Sequence, residues 1–268
     1  MSKFSLGKYL LPTYIFLAFI FLMFPIGYTF VFSFNDPFKN TPGWQGFTFD
    51  NWTGVCNNEA VCEAFGNSIL IAITATVVST ILGTMLAIAV TRYEFKGRSA
   101  TNLLLFLPLA TPEVVMGAGL AAQFFNVGIP RGMGTIIIGH ILFTLSFVVV
   151  TVKARIATLD PKLEEAGRDL YAPPTQVFMK ITFPLLLPGI MAAALLSLAL
   201  SFDDYIVTAF NSGTEITFPK YVYAAALRGI PPEANVIGSA VFIFAIALVL
   251  VFQLGGAINR KRIAKLAK

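Results

Sequence analysis

The residues of this chain that could do chemistry are few, and most of them are acids set in apolar sequence. Asp203, Asp204 and Tyr205 end one long apolar run, and Glu113 interrupts another. An acid at membrane depth is costly unless it is paired, hydrated or faces a cavity. A carboxylate there can bind a cationic amine, and an aromatic ring can add a cation–π contact. These four residues are candidates for a cation path; hydration, or pairing with a base of another subunit, is the alternative.

Catalytic chemistry is not indicated by the other polar residues. The single histidine, His140, lies in an apolar run, where a neutral packing role is more common than a proton relay. The sequence contains no glycine-rich stretch ending in Gly-Lys-Ser/Thr, so we expect no phosphate-binding loop. Cys56 and Cys62, with no nearby histidine, do not indicate a metal site. The sequence is compatible with a disulfide between Cys56 and Cys62 and equally with two free thiols.

The composition indicates a membrane protein, since 56% of the residues are hydrophobic, 12% are charged and the mean hydropathy is +0.76. Soluble domains carry about 25% charged residues. A helical span needs about 20 apolar residues. The pattern predicts an all-α fold, one transmembrane domain over residues 1–268, with six helices at about 9–35, 64–91, 99–130, 132–152, 181–207 and 234–259.

Two local features refine this prediction. Pro108, Thr111 and Pro112 interrupt the third run just before Glu113, and irregular backbone at that depth is tolerated where it lines a cavity or is buried in protein. Residues 218–227 predict a short helix between the last two runs. The first run is too long for a signal peptide and has no cleavage pattern, so we expect an uncleaved helix.

The basic residues predict the orientation. With the amino terminus inside, only four of the 19 basic residues lie outside, so 15 lie inside. Both termini and residues 160–184 are then cytoplasmic. The net charge of +5 reflects this asymmetry and is not a footprint of nucleic-acid binding. The four outside are Lys39, Arg131, Lys220 and Arg228.

The loop of residues 160–184 is the most polar segment between two long apolar runs. Asp160 followed by Pro161 predicts a helix start, and Pro173 with Pro174 predicts its end. Such a helix is too short and too charged to cross a bilayer, and it suits docking on another protein. Its narrow apolar face comprises Leu163, Ala166, Gly167 and Leu170.

This loop resembles the EAA loop of ABC-importer permeases, EAA-x3-G-x9-I-x-L-P. The spacing matches throughout, and three letters depart from the pattern: Gly167 for the second Ala, Tyr171 for the Gly and Phe183 for the Leu. The matching positions are Glu165, Ala166, Gly167, Tyr171, Ile181, Phe183 and Pro184.

Further segments resemble spermidine/putrescine-type permeases, specifically the second of their two permease subunits. Branches that carry iron, thiamine or opines share parts of these motifs and are the alternatives. The segments are WQGFT at 44–48, RYEFKG at 92–97, PEVV at 112–115, FVVVTV at 147–152 and LSFDD at 200–204.

The resemblance implies a type I ABC-importer permease fold with a cytoplasmic coupling helix, in the bacterial cytoplasmic membrane. Its implied partners are a sister permease, two copies of an ATPase that binds ATP and Mg²⁺, an external substrate-binding protein and a polyamine. The implied ATPase-coupling residues are Glu165, Ala166, Gly167, Asp169, Leu170 and Tyr171. We expect Gly167 to lie against the ATPase, where its missing side chain allows close approach.

The charge on the outer side agrees with a cationic substrate, because the segments predicted there hold nine acids against four bases. Two other functional classes fit the sequence less well. A self-contained secondary transporter would need coupling-ion sites and commonly internal repeats, and would leave the EAA-like loop unexplained. A membrane-bound enzyme would need a catalytic constellation.

Overall fold

The computed structural model describes residues 6–36, 43–227 and 229–266, with side chains described for 10–36, 43–227 and 229–251. The basic residues Lys39 and Arg228 lie outside the described residues. Within them no strand occurs, and one isolated bridge joins Asn35 and Phe47. The all-α prediction is confirmed. The helices are α1 (Leu6–Phe32), α2 (Asp50–Thr53), α3 (Glu59–Arg92), α4 (Arg98–Ala110), α5 (Glu113–Val127), α6 (Met133–Ile156), α7 (Lys162–Asp169), α8 (Pro174–Val177), α9 (Phe183–Asp203), α10 (Ile206–Asn211), α11 (Phe218–Ala226) and α12 (Pro232–Leu266).

Five helices are long and apolar enough to cross a membrane, and a sixth span results if α4 and α5 count as one. A π-helical segment, Phe178–Thr182, joins α8 to α9, so that Pro174–Asp203 reads as one apolar helix. Each of the six runs predicted from the sequence overlaps one of these spans. The prediction of a single domain over residues 1–268 stays a prediction.

The third run is broken at Thr111 and Pro112, whereas Pro108, which was also expected to interrupt it, lies within α4. Helix α4 ends at Ala110, α5 begins at Glu113, and the two helices are bent by 111°. Pro112 has φ −57° and ψ 134°, an extended conformation that cannot continue a helix. The predicted interruption is therefore confirmed, and it is a sharp turn.

The described residues fall into two compact units, one made of those within 1–62 and 222–268, and the other made of Glu63–Tyr221. In the second unit, α6 packs against α9, α4 and α10. Its buried core comprises Ala87, Val148, Val149, Val152, Ile156, Leu186 and Ala193.

Small and polar side chains bring helices of the second unit close together. A Cβ on Gly83 of α3 would lie 2.6 Å from Val148 Cγ1 of α6, so a larger residue would push these helices apart. The buried hydroxyls of Ser79 and Ser197 lie 3.0 Å apart and link α3 to α9. Lipid tails give no hydrophobic driving force for helix pairing. Close van der Waals packing and interhelical hydrogen bonds of this kind stabilise the pairs instead.

In the first unit, α1 packs along α12. The segment after α1 is folded back by the buried side chain of Asn51, whose amide donates to the carbonyls of Ser33 at 3.1 Å and Asn35 at 2.8 Å. An aromatic cluster forms around Phe34, whose ring lies within 5.5 Å, centroid to centroid, of Phe30, Phe47, Phe49 and Trp52.

Candidate functional site

The EAA-like loop begins as its sequence predicts. The Asp160 carboxylate accepts a hydrogen bond of 3.0 Å from the Lys162 backbone N–H, which would otherwise lack a partner in the first turn. Helix α7 begins at Lys162, one residue later than Pro161 suggests. Glu164 and Glu165 occupy its first turn, where the helix dipole favours negative charge.

The end of α7 is set by Tyr171. This residue has φ +59° and is the one non-glycine residue with positive φ in the described chain. The Tyr171 N–H donates to Arg168 O at 2.9 Å, and the Ala172 N–H donates to Gly167 O at 3.3 Å. This bond pair defines a Schellman motif, whose left-handed position usually holds glycine. Tyr171 replaces glycine at the EAA position whose backbone demands it.

The inner face of α7 is tied to its own chain by Glu164. Its carboxylate accepts from Arg92 Nη2 at 2.9 Å and from Thr182 Oγ1 at 3.0 Å. These bonds join α7 to the end of α3 and to the start of the span that follows. The sequence pattern did not single out Glu164, because its partners lie 72 and 18 residues away.

Gly167 also faces inward, which corrects its expected placement against the ATPase. It is buried, and a Cβ there would lie 2.8 Å from Ile181 Cδ1 and 3.3 Å from Val177 Cγ2. The close approach that glycine permits is therefore between α7 and its own chain. Ile181 is the isoleucine of the EAA-like pattern, so two of the motif's positions pack on each other.

The outer face of α7 carries the other predicted coupling residues. Glu165, Ala166 and Asp169 are exposed. Leu170 is 82% exposed and Tyr171 is 98% exposed. The predicted apolar face is thus divided: Leu163, Ala166 and Leu170 point outward, and Gly167 points inward. An exposed apolar surface rimmed by acids is typical of a protein-docking site.

The acids predicted for a cation path occupy two helix breaks. Glu113 is exposed and begins α5, directly after the bend. Asp203 and Asp204 lie where α9 ends, and Tyr205 precedes α10. Asp203 is exposed, Tyr205 is partly exposed, and Asp204 is buried. The structure therefore places the two adjacent acids in different environments.

Asp204 is bound within the chain. Its carboxylate accepts from the backbone N–H of Val207 at 3.2 Å and of Thr208 at 2.9 Å, and from Thr208 Oγ1 at 3.0 Å. It thereby caps the first turn of α10. Its Oδ2 also lies 3.2 Å from Nε2 of His140.

His140 is a buried, hydrogen-bonded side chain, as the sequence predicts, but its partners come from other helices. Nδ1 lies 2.7 Å from Ser201 Oγ of α9, and Nε2 lies 3.0 Å from Thr208 Oγ1 of α10. The side chains of His140 and Asp204 are 1% and 2% exposed. The link between the histidine and the acid was missed by sequence reasoning.

Helix α10 is anchored near both breaks. The Asn211 amide donates to Gly117 O of α5 at 3.2 Å, and Asn211 O accepts from Thr135 Oγ1 of α6 at 2.8 Å. Gly117 lies one helical turn after Glu113, and a Cβ on it would lie 3.0 Å from Phe210 Cδ2. The segment after the α4–α5 bend therefore packs on the segment after the α9–α10 break.

The two cysteines are joined in the structure. Cys56 and Cys62 form a disulfide with a Cα–Cα distance of 5.4 Å. The two cysteines are separated by six positions in the sequence, so the bond closes a short loop. Among the described residues, no group of three or more His, Cys, Asp or Glu side chains is arranged to hold a metal ion.

Comparison with protein families places most of the chain in one of them. Residues 79–265 match the family described as "Binding-protein-dependent transport system inner membrane component". The chain is 33% identical over 255 residues to the spermidine/putrescine transport system permease protein PotC of Haemophilus influenzae, covering 95% of this chain and 97% of that protein. It is 34% identical over 234 residues to the putrescine transport system permease protein PotI of Escherichia coli K12, covering 84% and 83%.

Solved structures share the fold. One is a bacterial ABC transporter involved in the import of the acidic polysaccharide alginate, with a TM-score of 0.65, 17% identity and coverage of 96% of this chain and 98% of that one. Another is the MetNI methionine ABC transporter in an inward-facing conformation, with a TM-score of 0.55, 20% identity and coverage of 75% and 94%. At these identities the likeness concerns the fold alone.

Proposed function

This chain belongs to the family of binding-protein-dependent transport system inner membrane components, and from that premise we propose that it is the permease subunit of an ABC importer that takes up polyamines. The observation that carries the proposal is helix α7. Its inner face is fixed to the chain by Glu164 and Gly167, and its outer face presents Leu170 and Tyr171. A helix that is held on one side and exposed on the other can transmit the motion of a bound partner to the spans.

The partner for this face is an ATPase subunit. The chain has no phosphate-binding loop, so ATP and Mg²⁺ bind to that partner and hydrolysis occurs there. A sister permease, two ATPase copies and an external substrate-binding protein complete the importer. Both termini and α7 lie on the cytoplasmic side, which follows from the distribution of Lys and Arg.

The substrate class rests on the named relatives and on the acids at the helix breaks. Relatives that cover most of the chain carry spermidine and putrescine in their names. Glu113, Asp203 and Tyr205 remain accessible at the two breaks, and they supply carboxylates and an aromatic ring for an amine. Asp204 is bound inside the chain, so the cation path we propose leaves it out.

The test is reconstitution of the chain in proteoliposomes with its ATPase, sister permease and substrate-binding protein. We expect ATP-dependent uptake of spermidine or putrescine, and none of thiamine, octopine or ferric iron. Uptake of one of those three alone would assign the chain to another branch of importers. Uptake that follows an ion gradient without ATP would identify a secondary transporter.

A further inference from the structure

Three helices meet at one buried polar cluster. His140 of α6 and Thr208 of α10 contact the carboxylate of Asp204, and Ser201 of α9 bonds to the other ring nitrogen of His140. Such a cluster is costly to bury unless every member is bonded, and here each member has a partner. The cluster lies at the point where the chain leaves α9. Asp204 adopts φ −63° and ψ 124° there, so the helix cannot continue through it.

The Asp204 carboxylate has little capacity left for a ligand. Val207 N–H binds Oδ1, while Thr208 N–H, Thr208 Oγ1 and His140 Nε2 surround Oδ2 at 2.9 to 3.2 Å. A carboxylate has about four acceptor positions. An ammonium group would have to displace one of these donors. Asp203, the preceding residue, is exposed and keeps its carboxylate accessible.

The histidine contact does not depend on one protonation state. Ser201 has a hydroxyl, which can donate to a neutral Nδ1 or accept from a protonated one. Nε2 can donate to Asp204 in both cases. The clamp therefore persists whether the ring is neutral or charged.

Resting on the proposed function, we propose that His140 is a positioning residue for substrate selection. By clamping Asp204 from a separate helix, it fixes the α9–α10 break and presents Asp203 as the acid that meets the cationic amine. His140 itself does not contact substrate. Loss of the clamp releases the break, so Asp203 loses its fixed direction and Asp204 becomes a competing acceptor.

The experiment compares three variants of His140 in the reconstituted importer. The Gln amide nitrogen can occupy the place of Nε2 and still donate to Asp204. The Asn amide nitrogen corresponds to Nδ1 and reaches only toward Ser201. Initial spermidine uptake is measured against external concentration, together with basal ATP hydrolysis and the amount of assembled complex.

We expect His140→Ala and His140→Asn to raise the KM for spermidine about tenfold, the effect of losing one hydrogen bond to a charged group. Measured per assembled complex, the maximal rate and basal hydrolysis should change less than about twofold. His140→Gln should restore the parent KM. The matched control is Thr144→Val, one turn further along α6, whose buried hydroxyl donates only to the His140 carbonyl at 2.7 Å. This control should keep the parent KM.

A loss of assembled complex in proportion to uptake, with unchanged KM and no rescue by Gln, would overturn the proposal and leave His140 a packing residue. If His140→Ala does not assemble, Ser201→Ala serves instead, since it removes only the Nδ1 partner. It should raise KM by about threefold, and an unchanged KM in that variant counts against the clamp. Failure of the proposed function is separate, because the parent complex would then take up no polyamine.

Discussion

The EAA-like loop and the α9–α10 break are both turns between helices of the second unit, but they treat their polar groups in opposite ways. In the loop, Glu165 and Asp169 are exposed and Tyr171 is almost fully so. In the break, Asp204 is buried and its carboxylate is bonded within the chain, and Asn211 is 0% exposed. The loop thus exposes polar and aromatic side chains that a partner could contact. In the break, nearly all polar side chains are bonded within the chain.

The difference follows from the surroundings that each turn must tolerate. Water hydrates an exposed side chain when no partner is bound. The polar groups of a docking surface therefore need no bonding partner within the chain. Within a bilayer no water is available, and an unpaired polar group costs several kcal/mol. A helix break within a membrane span would therefore be stable only if its polar groups bond within the protein. The exposed Asp203 stays a candidate for function on that argument.

The largest effect is expected from neutralising Asp203 and Asp204 one at a time, which tests whether the exposed and the buried acid have different roles. Asp204→Asn puts an amide N–H₂ among the donors of Val207 and Thr208, and each buried donor left without an acceptor costs about 1–3 kcal/mol. We expect a marked loss of assembled complex. Asp203→Asn should assemble normally and lower spermidine uptake.

The measurement for this pair is initial uptake against external concentration, at matched amounts of complex determined by size-exclusion chromatography. Equal behaviour of the two variants, whether both parent-like or both unassembled, would remove the distinction between the acids. A neutralised Asp203 with unchanged uptake would exclude it from the cation path.

A second test separates the inner and outer faces of α7. Gly167→Leu must displace Ile181 and Val177, an overpacking that costs about 1–3 kcal/mol and moves the helix. We expect the variant to insert but to lose coupling between ATP hydrolysis and transport. The matched control, Ala166→Leu, adds the same side chain on the exposed face.

In Ala166→Leu the isolated chain should keep its parent stability, and any defect should appear only when the ATPase is added. Thermal unfolding of the detergent-solubilised chain distinguishes the two cases. Normal stability and normal transport in Gly167→Leu would contradict the inward placement of this residue.

A smaller effect is expected at the end of α7. A side chain in the left-handed conformation costs about 1–2 kcal/mol, so Tyr171→Gly should stabilise the turn by about that amount. Tyr171→Asn should cost little, because asparagine tolerates this conformation. If the exposed ring contacts the ATPase, both variants should weaken ATPase binding equally while differing in stability. Binding is measured by titration of the detergent-solubilised complex, and unchanged affinity in both variants would leave the ring without a docking role.

The smallest effect concerns the ion pair that fixes the inner face. Arg92 and Glu164 are 26% and 19% exposed, so we expect a coupling energy of about 0.5–1 kcal/mol. A double-mutant cycle of Arg92→Gln and Glu164→Gln in thermal unfolding provides the value. Because Glu164 also accepts from Thr182, its single variant should be the more destabilising of the two. The reverse order would show that the Thr182 bond contributes nothing.

The fold was largely predictable because bilayer spans need long apolar runs, and these are visible one residue at a time. The bend between α4 and α5 was predictable for the same reason, because a proline such as Pro112 restricts the backbone locally. The start of α7 followed from Asp160 for the same reason, as its carboxylate caps a helix only two residues away.

The unpredicted features depend on contacts far apart in sequence. His140 and Thr208 are 68 residues apart, and no local pattern indicates that they meet. The inward placement of Gly167 depends on Val177 and Ile181, so helical spacing alone could not assign its face. The orientation of the termini and the partners of α7 stay predictions, because they concern the membrane and other chains.

The segment that follows α1 in the first unit contains both tryptophans of the chain, which matters for fluorescence measurements. The chain has two tryptophans, Trp44 and Trp52. Trp52 stacks on Phe34 at 5.5 Å and donates its indole N–H to Ser33 Oγ at 3.2 Å, while Trp44 lies edge-on to Phe32 at 6.2 Å. The tryptophan fluorescence of this chain therefore originates wholly in that segment. A partner without tryptophan, or a quencher confined to one side of a vesicle, would be registered there without any attached dye.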